Sequence, residues 1–218
     1  ERMKYIYNVF ASVLMLSIGF SNTQWVSINE NGDKIDKVRV ENSDIYSTTL
    51  TFSIDGFSNN IVDGEDGTII RHPNSAQILE QGAPDLPQFS ASIIIPDDKS
   101  MEYRIINSTY IDYPNYDILP SKGNLSRLIN PETIPYEYGI VYSENKFYPN
   151  QIAELREPYI LRDVRGLAVV TYPIQFNPIT HTLRVYSEIT IEVYSNGRGL
   201  VNVLNRNLLP ENRPMEFE

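Results

Sequence analysis

No cysteine occurs in the 218 residues, and there are only two histidines and one tryptophan. The first absence excludes a thiol nucleophile, a thiolate metal centre and a disulfide framework. His72 and His181 stand apart in turn-like settings, and neither belongs to a His-Glu-x-x-His spacing. There is no Gly-x-Ser-x-Gly and no glycine loop of the kind that cradles phosphates. Positive charge is scarce as well. Eighteen Lys and Arg against 28 Asp and Glu give a net charge of −10, which leaves no basic block to neutralise a nucleic-acid backbone. The excess acid serves solubility. Helical periodicity is nearly absent; "AQILEQ" (Ala76 to Gln81) is the one stretch that reads as a helical turn.

What is present begins with an apolar run. Met3-Lys4 precedes "YIYNVFASVLMLSIGF" (Tyr5 to Phe20), and small residues follow at Ser21-Asn22-Thr23. A basic start, an apolar middle and small residues at the cut make a signal peptide over residues 1–23. The run falls short of the roughly 20 residues that a membrane helix needs. Export without cysteine points to a bacterial envelope protein. A chain of the remaining size buries about 70% of its unfolded surface and needs no staples.

From residue 24 to 195 the pattern is that of strands. "TLTFSI" puts Leu50, Phe52 and Ile54 on one face, with threonine and serine on the other. "ASIIIP" reads as a short buried strand stopped by Pro96. "MEYRIINSTYIDY" alternates Met101, Tyr103 and Ile105 against Glu102 and Arg104. In "THTLRVYSEITIEVYSNG", Leu183, Val185, Ile189, Ile191 and Val193 face one way, with Ser187 the exception. A slip of one residue would bury three charges, so the register is firm. "LAVVTYPIQF" reads as one more strand, joined to this one by the turn "NPIT". Fifteen tyrosines suit strands with one wet face. The expected fold is an all-β sandwich of mostly antiparallel strands. From residue 196 to 218 the alternation is lost, and the segment reads as a linker.

Three stretches carry unusual charge. "LPSKGNLSRLINPETIPYEYG" (Leu119 to Gly139) is a long loop stiffened by Pro120, Pro131 and Pro135, and it holds Lys122 and Arg127 with few acids nearby. "ILRDVRG" sets Arg162, Asp163 and Arg165 around a turn closed by Gly166, where Asp163 can pair with either arginine; a structural turn is expected, with an interface to a partner domain as the alternative. "VDGEDGTI" gathers Asp63, Glu65 and Asp66 in one turn, but their spacing is not that of the twelve-residue calcium loop, so a solvated hairpin tip is expected and no metal or other cofactor is assigned.

The runs "PSKG" (Pro120 to Gly123), "NPETIPYEYG" (Asn130 to Gly139), "NKFYPNQIA" (Asn145 to Ala153), "PYILRDVRG" (Pro158 to Gly166) and "YPIQFNPITHTLRVYSEITIEV" (Tyr172 to Val193) follow one another in order. Together they resemble the N-terminal propeptide of gingipain-type cysteine proteases; "GAPDLPQFSASIIIP" (Gly82 to Pro96) matches more loosely. The resemblance implies a jelly-roll-like sandwich that precedes a caspase-like catalytic domain, helps it fold and keeps it latent. It also implies that a loop arginine fills the pocket that reads substrate, and its place in "PSKGNLSR" makes that residue Arg127. Lys122 takes the role if the target is lysine-specific. The partner is the caspase-like cysteine protease domain, in cis or in trans. The chain itself, without cysteine, cannot be the protease. Arg206-Asn207 in the expected linker is the processing candidate; Arg213-Pro214 should resist because proline follows. A secreted carbohydrate- or surface-binding sandwich is the alternative reading, since tyrosine-rich β-faces stack on sugars.

Overall fold

The computed structural model describes residues 23–28 and 38–206. The expected signal peptide, apart from Thr23, lies outside these residues, as do residues 207–218 of the expected linker.

Thirteen strands run through the described residues. They are β1 (Thr23–Ser27), β2 (Val38–Ser43), β3 (Ser47–Ser53), β4 (Gly56–Ile61), β5 (Thr68–Arg71), β6 (Ala76–Gln77) and β7 (Pro87–Ile94), then β8 (Lys99–Pro114), β9 (Ala153–Leu155), β10 (Tyr159–Leu161), β11 (Val164–Thr171), β12 (Ile174–Asn177) and β13 (Thr182–Arg198). The helical content described is two short 3-10 turns, Pro131–Thr133 and Ile140–Ser143.

The longest strand, β13, organises one five-stranded sheet. It carries β8 along one edge and β12 followed by β3 along the other, with β2 outside β3. The second five-stranded sheet is built on β11, which pairs with β7 on one side and with β9 and β10 on the other; β6 lies beyond β7. The third sheet has the order β1-β4-β5. All these pairings are antiparallel.

One apolar cluster joins the three sheets. Phe57 and Ile70 come from the small sheet, Phe89, Leu167 and Val169 from the β11 sheet, and Leu50, Phe52, Val185, Ile189, Ile191 and Val193 from the β13 sheet. Each such side chain contributes about 1.5–3 kcal/mol relative to exposure. The alternation in β13 is as expected: its five aliphatic residues are buried, while Arg184 and Glu192 on the opposite face meet Asp112 and Arg104 directly across β8. Ser187, the break in that pattern, sits where the β13–β8 register slips between Tyr186 and Glu188.

Four expectations are corrected. "LAVVTYPIQF" is two strands in two sheets, because the chain turns at Tyr172-Pro173 and crosses from β11 to β12. "ASIIIP" is not buried throughout: Ile94 points outward on β7 while Ile95 enters the core. "AQILEQ" forms β6 rather than a helical turn, because Ala76 and Gln77 pair with Gln88 and Pro87 and the Ile78 N–H donates to the Leu86 carbonyl. β3 is covered on both faces, and Thr51, on the face expected to be wet, exchanges a 3.0 Å hydrogen bond with Thr190.

Candidate functional site

The proline-rich loop from Leu119 to Gly139 is anchored at both feet on one short segment. The Ser121 N–H donates to the Ala83 carbonyl at 2.7 Å, and the Gly82 N–H donates to the Ser121 carbonyl at 3.0 Å. At the far foot the Gly139 N–H donates to the Gly82 carbonyl at 2.9 Å. Both ends of the loop therefore close on Gly82. The approach is so close that a Cβ on Gly139 would stand 2.9 Å from the Gly82 oxygen, and Gly82 itself has φ +80. Behind the feet, Leu119 is buried and Arg71 holds Asp85 with two hydrogen bonds of 2.9 and 2.8 Å.

The two cations of the loop have different situations. The Lys122 ammonium donates to the Pro131 carbonyl at 2.9 Å and stands 4.0 Å from the centre of the Tyr136 ring. It ties the two limbs of the loop together without an ion pair to the described residues. Burial pushes the Tyr136 hydroxyl above its usual pKa, with Asp85 adding to the effect, so the ring stays neutral beneath the ammonium. Arg127 occupies the tip of a β-turn. The Ile129 N–H donates to the Ser126 carbonyl at 3.0 Å and the Leu128 N–H to the Ser126 hydroxyl at 3.4 Å, which leaves Arg127 and Leu128 as the two central residues. Leu128 is 97% exposed and Arg127 is exposed beside it. The Asn130 side chain accepts from the Glu132 N–H and caps the following 3-10 turn.

The "ILRDVRG" group lies elsewhere. Arg162 and Asp163 form the two-residue loop of the β10–β11 hairpin, with Arg162 at φ 58. Gly166 does not close this turn; it is a strand residue opposite Tyr159. Arg165 is only 1% exposed. Its guanidinium is spent on four carbonyls, those of Pro96, Lys99, Val201 and Asn202, at 2.7 to 2.8 Å. Burial lowers its pKa, opposed by Asp97 and Asp98. The pairing expected of Asp163 is thus replaced, at Arg165, by backbone acceptors.

Residue 196 does not begin a free linker. β13 continues to Arg198, Leu204 is buried, and Arg206 pairs with Asp97. The acidic turn with Asp63, Glu65 and Asp66 is an exposed hairpin tip between β4 and β5. Among the described residues, no three histidine or acidic groups converge in a way that could hold a metal.

The arrangement brings together a planar cation with five donors and a preformed backbone to present it. A guanidinium of that kind matches a carboxylate through two parallel charge-assisted hydrogen bonds. Sequence reasoning missed Gly82 and Ser126 as parts of the site. Ser126 stands next to Arg127, but the Gly82–Gly139 contact joins residues far apart in the chain and leaves no local pattern.

Comparison with known proteins shows the family of the chain. The family described as Propeptide_C25 matches residues 27–211. Gingipain R1 of Porphyromonas gingivalis is 35% identical over 201 residues, which is 91% of this chain and 20% of that protein. Gingipain R2 of the same species is 43% identical over 128 residues, 59% of this chain and 17% of that protein. Lys-gingipain HG66 is 24% identical over 131 residues, 57% of this chain and 8% of that protein. The chain therefore spans about a fifth or less of the length of these relatives. Among solved structures, the complex of Porphyromonas gingivalis RgpB pro- and mature domains superposes with a TM-score of 0.72 at 35% identity, covering 77% of this chain and 90% of that one. A structure describing the zymogenic latency of gingipain K shares the fold at 20% identity and a TM-score of 0.66, covering 80% of this chain and 99% of that one. With the family match extending over most of its length, the chain belongs to the Propeptide_C25 family of gingipain propeptides and, having no cysteine, is not itself a cysteine protease.

Proposed function

We propose that this domain keeps a caspase-like cysteine endopeptidase latent by inserting Arg127 into the pocket that reads substrate arginine, and that it assists the folding of that enzyme. The observation that carries the reading is the turn at Ser126–Ile129, which offers Arg127 at its tip without any ion pair or hydrogen bond to the described residues. A free loop would lose much of its docking energy to ordering; one whose two feet close on Gly82 is ordered beforehand. Lys122 is the weaker candidate because its ammonium is engaged within the loop. The higher identity to the gingipain R relatives than to Lys-gingipain also favours an arginine-specific partner. The partner acts in cis or in trans, and the whole is exported by a Gram-negative cell.

The test is a titration of residues 24–218, wild type and Arg127→Ala, against the mature domain of an arginine-specific gingipain. Truncation strands a carboxylate in the pocket, so inhibition weakens by roughly 2–5 kcal/mol. That is about 30-fold to several thousandfold in the inhibition constant. Equal constants for the two proteins would remove Arg127 from the mechanism.

A further inference from the structure

Residues 199–206 lie along the domain as a strap. The Gly199 N–H donates to the Asp98 carbonyl at 2.8 Å, and the buried Arg165 holds the carbonyls of Val201 and Asn202 at 2.8 Å each. The Asn202 side chain donates to the Pro158 carbonyl at 2.6 Å. Asp97 then grips the end of the strap twice. Its carbonyl accepts from the Leu204 N–H at 3.0 Å, and its carboxylate takes the Arg206 guanidinium at 2.6 Å (Nε to Oδ2) and 3.2 Å (Nη2 to Oδ1). Leu204 between them is buried. The cleft that receives Arg206 has a volume of about 560 Å³; Asp44, Asp97 and Asp163 supply its acid, and Ile45, Ile94 and Pro96 its apolar wall.

We propose that this cleft is an arginine site occupied in cis, and that Asp97, by holding Arg206, masks the Arg206-Asn207 bond from arginine-specific cleavage until the strap lifts. A planar cation on a carboxylate beside an apolar wall is the same chemistry that an arginine-reading protease offers in its own pocket. One guanidinium cannot fill both. A protease must also draw several residues before the scissile bond into an extended strand. Here those residues are fixed at Gly199, Val201, Asn202 and Leu204. Cleavage therefore proceeds through the open fraction of the strap, and its rate follows that population when opening and closing are fast. The mask makes separation at this bond a late event, subordinate to whatever loosens the strap. The inference does not depend on the role of Arg127.

Limited digestion of residues 24–218 by trypsin, followed by mass spectrometry of the product ending at Arg206, tests it. Asp97→Asn should speed that cut about two- to fivefold, the range for losing an exposed bidentate pair. Leu204→Ser, which loosens the strap from its apolar side, should speed it by about tenfold or more. Asp98→Asn makes the same change in net charge on the neighbouring side chain and should leave the rate unchanged. The proposal is overturned if Asp97→Asn and Leu204→Ser cut no faster than Asp98→Asn. It is equally overturned if cuts at Arg104 in β8 and Arg184 in β13 rise in step with Arg206, because the variants would then be unfolding the domain rather than lifting the strap.

Discussion

Arg165 and Arg127 carry the same guanidinium into opposite surroundings. Arg165 has no exposed surface to speak of and donates to four carbonyls from two separate segments, 96–99 and 201–202. Arg165→Met should therefore destabilise the domain by about 3–5 kcal/mol, since the carbonyls stay buried and lose their donor. Urea unfolding would read it as a lower midpoint with an unchanged slope. Arg127→Ala should leave the same transition within about 0.5 kcal/mol, because an exposed residue at a turn tip adds little to stability. Lys122→Ala belongs between them: the fold stays, but the limbs of the loop lose their tie, so inhibition should weaken by about 1 kcal/mol through lost preorganisation. A Lys122→Ala effect larger than that of Arg127→Ala would mean that the lysine, not the arginine, enters the pocket. From the sequence, "ILRDVRG" is three charges around a turn and reads as an Asp163–arginine pairing; burial of Arg165 depends on carbonyls of Pro96 and Val201, which no local pattern announces.

At the scale of elements, the β8–β13 ribbon shows how charge supports a strand pair. Arg184 donates to both oxygens of Asp112 at 2.8 and 2.9 Å, and its guanidinium lies 4.1 Å from the rings of both Tyr110 and Phe147. The hydrogen bonds from Arg184 hold the Asp112 carboxyl below the usual carboxylate range, against a smaller opposing effect of burial. A carboxyl lowered in the folded state contributes stability that is present above its unfolded value and is lost as pH falls through its folded value. Amides of β8 near Asp112 should therefore keep their hydrogen-exchange protection down to about pH 4 and lose it below, when the global exchange rate is taken into account. Asp112→Asn should remove that acid step; an unchanged acid profile would mean that other carboxylates control it. The two-residue period of β13 was legible because one face is apolar except at Ser187 and the other carries the charges. The switch between sheets at Tyr172-Pro173 was not, because an apolar run continues through it and every residue on both sides is buried or nearly so. Likewise Gly139 was visible as the end of the long loop, but its 2.9 Å hydrogen bond to Gly82 was not. Gly139→Val should displace that foot and weaken inhibition while far-UV circular dichroism stays that of the wild type.

For the whole molecule, one apolar cluster among the described residues spans the three sheets and couples their stability. Circular dichroism should be dominated by strand, and a helix content near the roughly one-third average of globular proteins would contradict the architecture. The proposed function gives the folded, acidic body a second role, guiding the folding of a larger partner. Refolding of the catalytic domain should give a higher yield of active enzyme with residues 24–218 present than without, after the inhibitor is removed. Arg127→Ala should preserve that yield if folding help comes from the body of the domain and lower it if the loop alone provides the help. The closure of the long loop on Gly82 has a consequence of another kind. Its two ends, Ser121 and Gly139, bond to the N–H and the carbonyl of one residue, so the domain serves the loop as a clasp. A clasp can be replaced by a covalent bond. A head-to-tail cyclic peptide of residues 121–139 would keep Lys122 against Tyr136 and Arg127 at its turn, and it would compete for the arginine pocket as a small macrocycle with no β-sandwich attached.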